Sequence, residues 1–448
     1  MSKSKNTNKK LWRIHNWVGL YAGIVIAVLS VTGVVALFKV EIDEAINGRY
    51  YKIAQPDDTA DFHPGVHQLI DSLRSVYGAK TFSGVLPSTD KSKNWIAGFG
   101  VRGKNPLDIQ SVQVFFNPYT AEVVGTRDYF QTFAHYIRHI HVRLFIGLFG
   151  RMWVGLGGIA LLVSTITGIL IYGEFMKNQF FGAIRNKNLK LKSADYHKVI
   201  GVTTLLFNLM ISITGAWLGL QALLQPALMV KSPERYERIE KPISSEVDVD
   251  FNVDYVKAYK IARKLFPDLD PVYIRQSRDG SRSILIGGDV PQTAYQGAVN
   301  SIVLDKADYS ELSRYDVRTK SLGDKVYYAQ EGLHYGDFGG IWVKVIYSFL
   351  GFTSGALAIL GFVLYLERTK SKQKQKVNYK TTGVRVWRWS AWILGACVLL
   401  YILTIIIGPN IPTVVITLGL FGTLLFFLFR PLVLFLKRKF KSLVKKQA

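Results

Sequence analysis

Unbroken apolar runs alternate with long polar stretches along this chain of 448 residues. The first run, residues 17–38, is about long enough to cross a bilayer core of roughly 30 Å. Comparable runs predict helices over about 152–172, 198–223, 341–366, 387–407 and 411–430, the last two forming a hairpin around Gly408, Pro409 and Pro412. Between the first two runs, residues 63–77 have helical spacing of apolar positions, and Val112, Val114 and Phe116 alternate as a strand ahead of a turn at Asn117-Pro118. The polar stretch after the third run repeats that outline. An amphipathic segment at 253–266 precedes alternation around Val272, Ile274, Ile284 and Ile286, then a Gly-Gly-Asp turn and a strand-like run at 300–305. The pattern predicts a mainly α membrane protein with six transmembrane helices and two extracytoplasmic α+β modules.

The repetition extends to single residues. Sliding the first helix onto the third superposes His15 on His197, Gly19 on Gly201, Ser30 on Ser212, Thr32 on Thr214 and Gly33 on Gly215 without a gap. A second constant shift superposes His141 on His334, Gly147 on Gly340, Gly158 on Gly351, Gly168 on Gly361, Tyr172 on Tyr365 and Glu174 on Glu367. The chain is therefore an internal duplication, each half reading helix, polar module, helix. The expected organisation is a tail with the first span at 1–40, a module at 41–140, the second span with a histidine cluster before it at 141–175, and a basic loop at 176–197. There follow the third span at 198–224, the second module at 225–338, the fourth span at 339–367, a basic loop at 368–386, the hairpin of two spans at 387–436 and a tail at 437–448.

Charge gives this arrangement a direction. A formal net charge of +24 alone would suggest a nucleic-acid binder, but the basic residues crowd the termini and the two short loops, whereas almost every carboxylate lies in the two modules. That segregation is the positive-inside signature, so no nucleic-acid partner is expected. Both termini and both basic loops are placed on the cytoplasmic face and the two modules on the opposite face. A lysine-rich start before an apolar run also describes a signal peptide; no small-residue cleavage site follows, and the run is read as a retained anchor.

Four histidines sit at equivalent places near the ends of apolar helices. A lone interfacial histidine is ordinarily a boundary residue, and it is the duplication in register that changes the reading. Two imidazoles on facing helices can bind haem iron axially, with nearby cations meeting the propionates. His15 with His197, and His141 with His334, offer two bis-His haems, one near each membrane face; Arg13, Arg138, Arg143 and Arg151 are candidates for propionates or substrate. The one cysteine, Cys397, excludes covalent c-type attachment and a cysteine-ligated cluster. His135 and His139, four apart, could hold substrate or metal or replace His141 as ligand; His63 and His67 share the spacing on an exposed helix, where a solvated face is the ordinary reading. Glycines between His141 and Met152 suggest a turn there, and the paired Thr-Gly and Gly positions read as close-packing sites that a porphyrin would also need. Intramembrane acids are nearly absent, which counts against a proton-coupled transporter.

At these residues the sequence resembles the PepSY-associated transmembrane family, which includes ferric-siderophore reductases. The matching motifs are Arg13, His15, Trp17 and Gly19; His141 and Leu144 followed by Gly150-Arg151 and Thr167-Gly168; His197 and Gly201 with Thr214-Gly215; and Leu333-His334 and Gly336 with Gly339-Gly340. They cover residues 11 to about 367. The resemblance implies PepSY-like modules, haem b held by His15, His141, His197 and His334, and electron delivery to a periplasmic ferric siderophore or other Fe(III) chelate, releasing Fe(II) for iron acquisition. No Gly-x-Gly-x-x-Gly fingerprint of a flavin or nicotinamide domain is present, which leaves membrane quinol or a separate cytoplasmic reductase as donor. Two other readings stand beside this one: a non-enzymatic protein whose modules bind a protease or envelope partner, and a siderophore or metal permease. A homodimer is left open.

Overall fold

The computed structural model describes residues 2–53, 59–102, 109–176, 184–185, 187–233, 253–276 and 283–373. Helix α1 (Ser2–Leu37) leads through α2 (Lys39–Ile46) and α3 (Gly48–Tyr51) to α4 (Val66–Tyr77) and strands β1 (Phe82–Leu86), β2 (Trp95–Arg102), β3 (Ile109–Asn117) and β4 (Glu122–Asp128). Then come α5 (Phe133–Arg143), α6 (Gly147–Met176), α7 (Leu189–Thr203) and α8 (Leu205–Ala227). The second half continues with α9 (Tyr255–Leu265), β5 (Asp270–Gln276), β6 (Ser283–Asp289), β7 (Asn300–Asp305), β8 (Glu311–Tyr315), α10 (Leu322–Tyr335) and α11 (Gly340–Gln373).

Four helices among the described residues are long and apolar enough to cross a membrane: Lys9–Leu37, Gly147–Gly173, Leu205–Ala227 and Asp337–Thr369. They correspond to the first four expected spans; the hairpin expected at 387–430 lies outside the described residues. The expected third helix is two helices, because the chain breaks its helical path at Thr204 (φ −101°, ψ 11°). Asn208 donates to the Thr204 hydroxyl and accepts from Ser354 on α11, so the polar groups around the break are satisfied inside the bundle.

Lipid offers helices no hydrophobic reason to associate, so close approach depends on small residues. A Cβ at Gly158 would fall 2.6 Å from the backbone nitrogen of Ala216, and one at Gly351 would fall 2.8 Å from Val34 Cγ2. Gly158 and Gly351 are equivalent by the repeat, as are Ala216 and Val34. Equivalent positions thus meet in the two halves, but α6 approaches the backbone of α8 whereas α11 meets α1 through the Val34 side chain.

The two expected modules merge. Their strands form one antiparallel sheet in the order β4-β3-β2-β1-β5-β6-β7-β8, each half contributing a four-stranded meander, with the halves joined where Val85 pairs with Ile274. Beside that pair, Gly84 has φ +122°, and a Cβ there would meet the Ile274 carbonyl at 2.5 Å, so the junction requires glycine. One face of the sheet carries α4 and α9. Val66 and Ile70 from α4 and Tyr255, Ala258 and Ala262 from α9 share a single buried core with Val85, Val114, Ile274 and Ile302. A smaller buried cluster of Val299, Tyr315, Val317 and Tyr328 belongs to the second half alone.

The other face is tied to the helical bundle. Phe115 packs against Tyr50 and Tyr51 at 5.4 and 5.1 Å between ring centroids, and Arg127 on β4 grips Asp43 of α2 at 2.8 Å with both side chains almost fully buried. In the second half Tyr327 of α10 accepts from Gln221 and Gln225 of α8. Lys344 of α11 pairs with Glu41 at 2.7 Å and Asp337 at 3.3 Å.

Burial raises the Asp43 carboxyl, but hydrogen bonds from Arg127 and Tyr51 outweigh it and hold the group below the ordinary carboxylate range. A depressed folded value means that the stabilisation is fully present above the unfolded carboxylate range and is lost as pH falls through the folded value. Asp43→Ala strands a buried guanidinium and is expected to cost about 3 kcal/mol. Thermal unfolding in detergent should show wild type losing stability relative to Asp43→Asn as pH falls below about 4; parallel pH profiles would count against the linkage.

Candidate haem-binding histidine pairs

The repeat brings the four histidines together two by two. His15 and His197 have ring centroids 6.1 Å apart with planes at 84°, and His141 and His334 are 6.3 Å apart with planes at 33°. Two imidazoles bonded at about 2 Å to one metal ion on opposite sides hold their ring centres roughly 6 Å apart. Both pairs have that separation. His141 ends α5 and His334 ends α10, on the sheet side of the bundle; His15 and His197 belong to the end bearing the basic loops.

Each ring crosses to a neighbouring helix and rests on a glycine. A Cβ at Gly33 would lie 2.8 Å from His141 Cε1, at Gly215 3.2 Å from His334 Cε1, and at Gly168 and Gly361 3.5 Å from Cε1 of His15 and His197. These are the small positions that the repeat singled out for close packing, and the close approach is to imidazoles. Beside three of the glycines stands a threonine. Thr32 Oγ1 lies 3.2 Å from His141 Nδ1, Thr214 Oγ1 2.9 Å from His334 Nδ1, and Thr167 Oγ1 3.0 Å from His15 Nδ1, which also meets the Ser164 carbonyl at 3.1 Å.

The hydrogen-bond network assigns the tautomer. Each threonine hydroxyl donates its proton to a carbonyl one turn back in its own helix, Val28, Met210 and Val163 respectively. Toward the ring it can only accept, so Nδ1 carries the hydrogen and Nε2 keeps its lone pair. An imidazole oriented through Nδ1–H with a free Nε2 is in the state a metal ligand needs.

Local structure explains the placement. After Arg143 the chain passes through Leu144 (φ 45°) and Phe145 (φ 59°), and Gly147 (φ 59°) and its equivalent Gly340 (φ 60°) begin the spanning helices. The expected turn between His141 and Met152 is thus present. Ahead of the other pair, Asp195 accepts from the Arg185 backbone and guanidinium and lies 3.7 Å from Lys198. Those bonds, chiefly from Arg185, hold the Asp195 carboxyl down at about 2, so it remains ionised beside His197.

The candidate arginines divide. Arg151 donates to the Leu218 carbonyl and to Gln221, tying α6 to α8. Arg138 is exposed on α5, and its charge reaches Lys39 and Tyr335. Arg143 is half-buried at the end of α5, and Arg13 is exposed. Two cations not among the candidates flank the pairs. Arg368 stacks over Trp12 at 4.5 Å, and its charge reaches both His15 and His197. Lys39 lies 5.6 Å from the centre of the Tyr335 ring, next to His334, with its ammonium pushed down by burial.

His135 and His139 stack at 4.2 Å on α5, flanked by Phe130 and Phe145. They form a patch separate from the His141–His334 contact; burial, then neighbouring cationic groups, lowers both below the ordinary histidine value. His63 and His67 line a groove with Phe62, Lys257 and Lys260, and His63 Nδ1 accepts from the Gly65 backbone. Among the described residues no group of three or more His, Cys, Asp or Glu could hold a metal ion.

The sequence model of the PepSY-associated TM region matches residues 12–368. An uncharacterized protein of Pseudomonas aeruginosa is 29% identical over 126 residues, which cover 25% of this chain and 32% of that protein. The chain therefore matches about a third of the length of this curated relative. The family match runs from just before His15 to Arg368 and takes in all four paired histidines, their glycines and the sheet between them: the chain is a membrane protein of the PepSY-associated TM region family.

Proposed function

We propose that this protein is a dihaem b electron carrier of the bacterial inner membrane that reduces a periplasmic ferric siderophore or other Fe(III) chelate. The observation that carries the reading is the pair of imidazole contacts at 6.1 and 6.3 Å, with Nδ1 engaged at three of the four rings and glycine beneath all four. That donor set fits haem b: His15 with His197 and His141 with His334 would hold the iron, and Arg368, Lys39 and Arg138 would meet the propionates. When bound, haem supplies one-electron transfer at two depths in the bilayer.

The residues of the chain set those depths. Helix α1 is continuous, so His15 and Gly33, which supports His141, are roughly 27 Å apart along its axis at about 1.5 Å per residue. The two pairs therefore lie toward opposite ends of the crossing, and a macrocycle at each would shorten the distance an electron must cover between them. The positive-inside rule supports reading the His15–His197 end as cytoplasmic, where quinol or a separate reductase would deliver electrons, and the sheet as periplasmic. One electron reduces one Fe(III), so a two-electron donor reduces two. The aromatic and basic face of α5, with His135, His139, Arg138 and Phe145, adjoins the sheet-side pair and suits an anionic chelate.

In proteoliposomes with dithionite on one side and an Fe(III) hydroxamate on the other, wild type should form Fe(II), detected by a ferrous chelator. His197→Ala and His334→Ala should each lower the rate about 10- to 100-fold; rates that survive both substitutions would exclude the proposed path. The glycines give an independent handle. Gly33→Leu and Gly215→Leu should each displace the ring above them and abolish the same spectral component, that of the sheet-side haem, leaving the other at full amplitude. Retention of both components in both variants would show that these glycines do not position ligands.

A further inference from the structure

Three of the four imidazoles rest on a hydrogen bond at Nδ1, and His197 does not. Its Nδ1 is buried without a hydrogen-bond partner, whereas those of His15, His141 and His334 meet Thr167, Thr32 and Thr214 at 3.0, 3.2 and 2.9 Å. The repeat shows why. The shift that superposes Gly168 on Gly361 also superposes Thr167 on Leu360 and Ser164 on Leu357. Gly361 still supports the ring, at the same 3.5 Å from Cε1 that Gly168 keeps from His15. The position of the imidazole is preserved while the hydroxyl has been exchanged for an alkyl group. The Leu357 carbonyl faces the ring from the place equivalent to the Ser164 carbonyl, so what His197 lacks is the threonine hydroxyl.

An acceptor at the remote N–H of an imidazole draws that proton away and makes the metal-bound nitrogen more basic. A more basic axial ligand stabilises ferric over ferrous iron, so such hydrogen bonds lower a haem's reduction potential. We infer that Leu360 is a potential-setting position: by withholding the hydroxyl found at the three equivalent places, it raises the midpoint of the His15–His197 site. The inference rests on the dihaem reading. It makes unequal two sites that the duplication would otherwise make alike, since the His141–His334 site has a threonine at both Nδ1 groups and the His15–His197 site at one. Leu360 touches neither substrate nor iron; it acts through His197.

The test is a spectroelectrochemical titration of the full-length, haem-loaded protein in detergent, comparing Leu360→Thr with Leu360→Val. Valine has the shape of threonine without its hydroxyl, so the difference between the two isolates the hydrogen bond. Leu360→Thr is expected to lower one of two midpoints, reducing the ferrous-to-ferric ratio of that site about tenfold at fixed potential, which is about 59 mV for a one-electron couple. Leu360→Val should titrate as wild type. Thr167→Val, which removes the threonine contact of His15, should move the same midpoint upward and serves as the second variant if Leu360→Thr does not fold. The inference is overturned if Leu360→Thr and Leu360→Val titrate alike, or if the shift falls on the component that His334→Ala removes. A wild-type protein that folds without haem would instead remove the dihaem reading, and this inference with it.

Discussion

Everything in the bundle turns on one contact made four times: an imidazole that leaves its own helix and lies against a glycine on the next. A Cβ at Gly33 or Gly215 would crowd the ring and one at Gly168 or Gly361 would touch it, so the residue that could coordinate and the residue it rests on lie on different helices and must be brought together by the fold. The threonine beside the glycine adds direction. Because its proton is committed to its own helix, it can only receive the Nδ1 hydrogen, and the opposite nitrogen is left free. At three of the four contacts geometry and tautomer thus follow from two adjacent residues in a transmembrane segment.

That contact needs helices fixed in rotation as well as position, and the bilayer does not provide this. The protein provides it from both sides. Within the membrane, Gly158 meets the backbone at Ala216 and Gly351 meets the Val34 side chain, at positions equivalent by the repeat. Outside it, the two halves are joined into one eight-stranded sheet, so a single core spans both polar segments. The Asp43–Arg127 pair then connects that sheet to α2, the Lys344–Glu41 pair joins α2 to α11, and the Tyr327 hydroxyl joins α10 to α8. A rigid cap over four helices holds His141 and His334 opposite one another at the chain's two returns to the membrane.

Much of this was legible in the sequence because the duplication leaves marks at single residues. Histidines, glycines and threonines at constant shifts identify the four spans, the pairing and the small positions, since these residue types have few other reasons to recur in register inside lipid. The merging of the two modules was not legible. Alternation at Val112–Phe116 and Ser283–Ile286 signals strands, but the pairing of Val85 with Ile274 joins distant parts of the chain and depends on a backbone approach at Gly84 that no local pattern announces. The break at Thr204 was hidden for a similar reason, as its polar groups are satisfied by Asn208 and through it by Ser354 on another helix. Lys39 and Arg368 looked like ordinary basic residues at the ends of spans, and only the packed bundle sets them beside the histidine pairs. Leu360 was invisible within an apolar run; its meaning appears only against Thr167, Thr32 and Thr214.

The central claim is that each histidine pair holds one iron porphyrin, and a pyridine haemochrome count on the purified full-length chain tests it most directly. The account predicts about two haem b per chain, falling to about one in each of the four single His→Ala variants, with His15 and His197 losing one spectral component and His141 and His334 the other. A folded protein that carries no haem, or variants whose losses do not sort by these pairs, would contradict it.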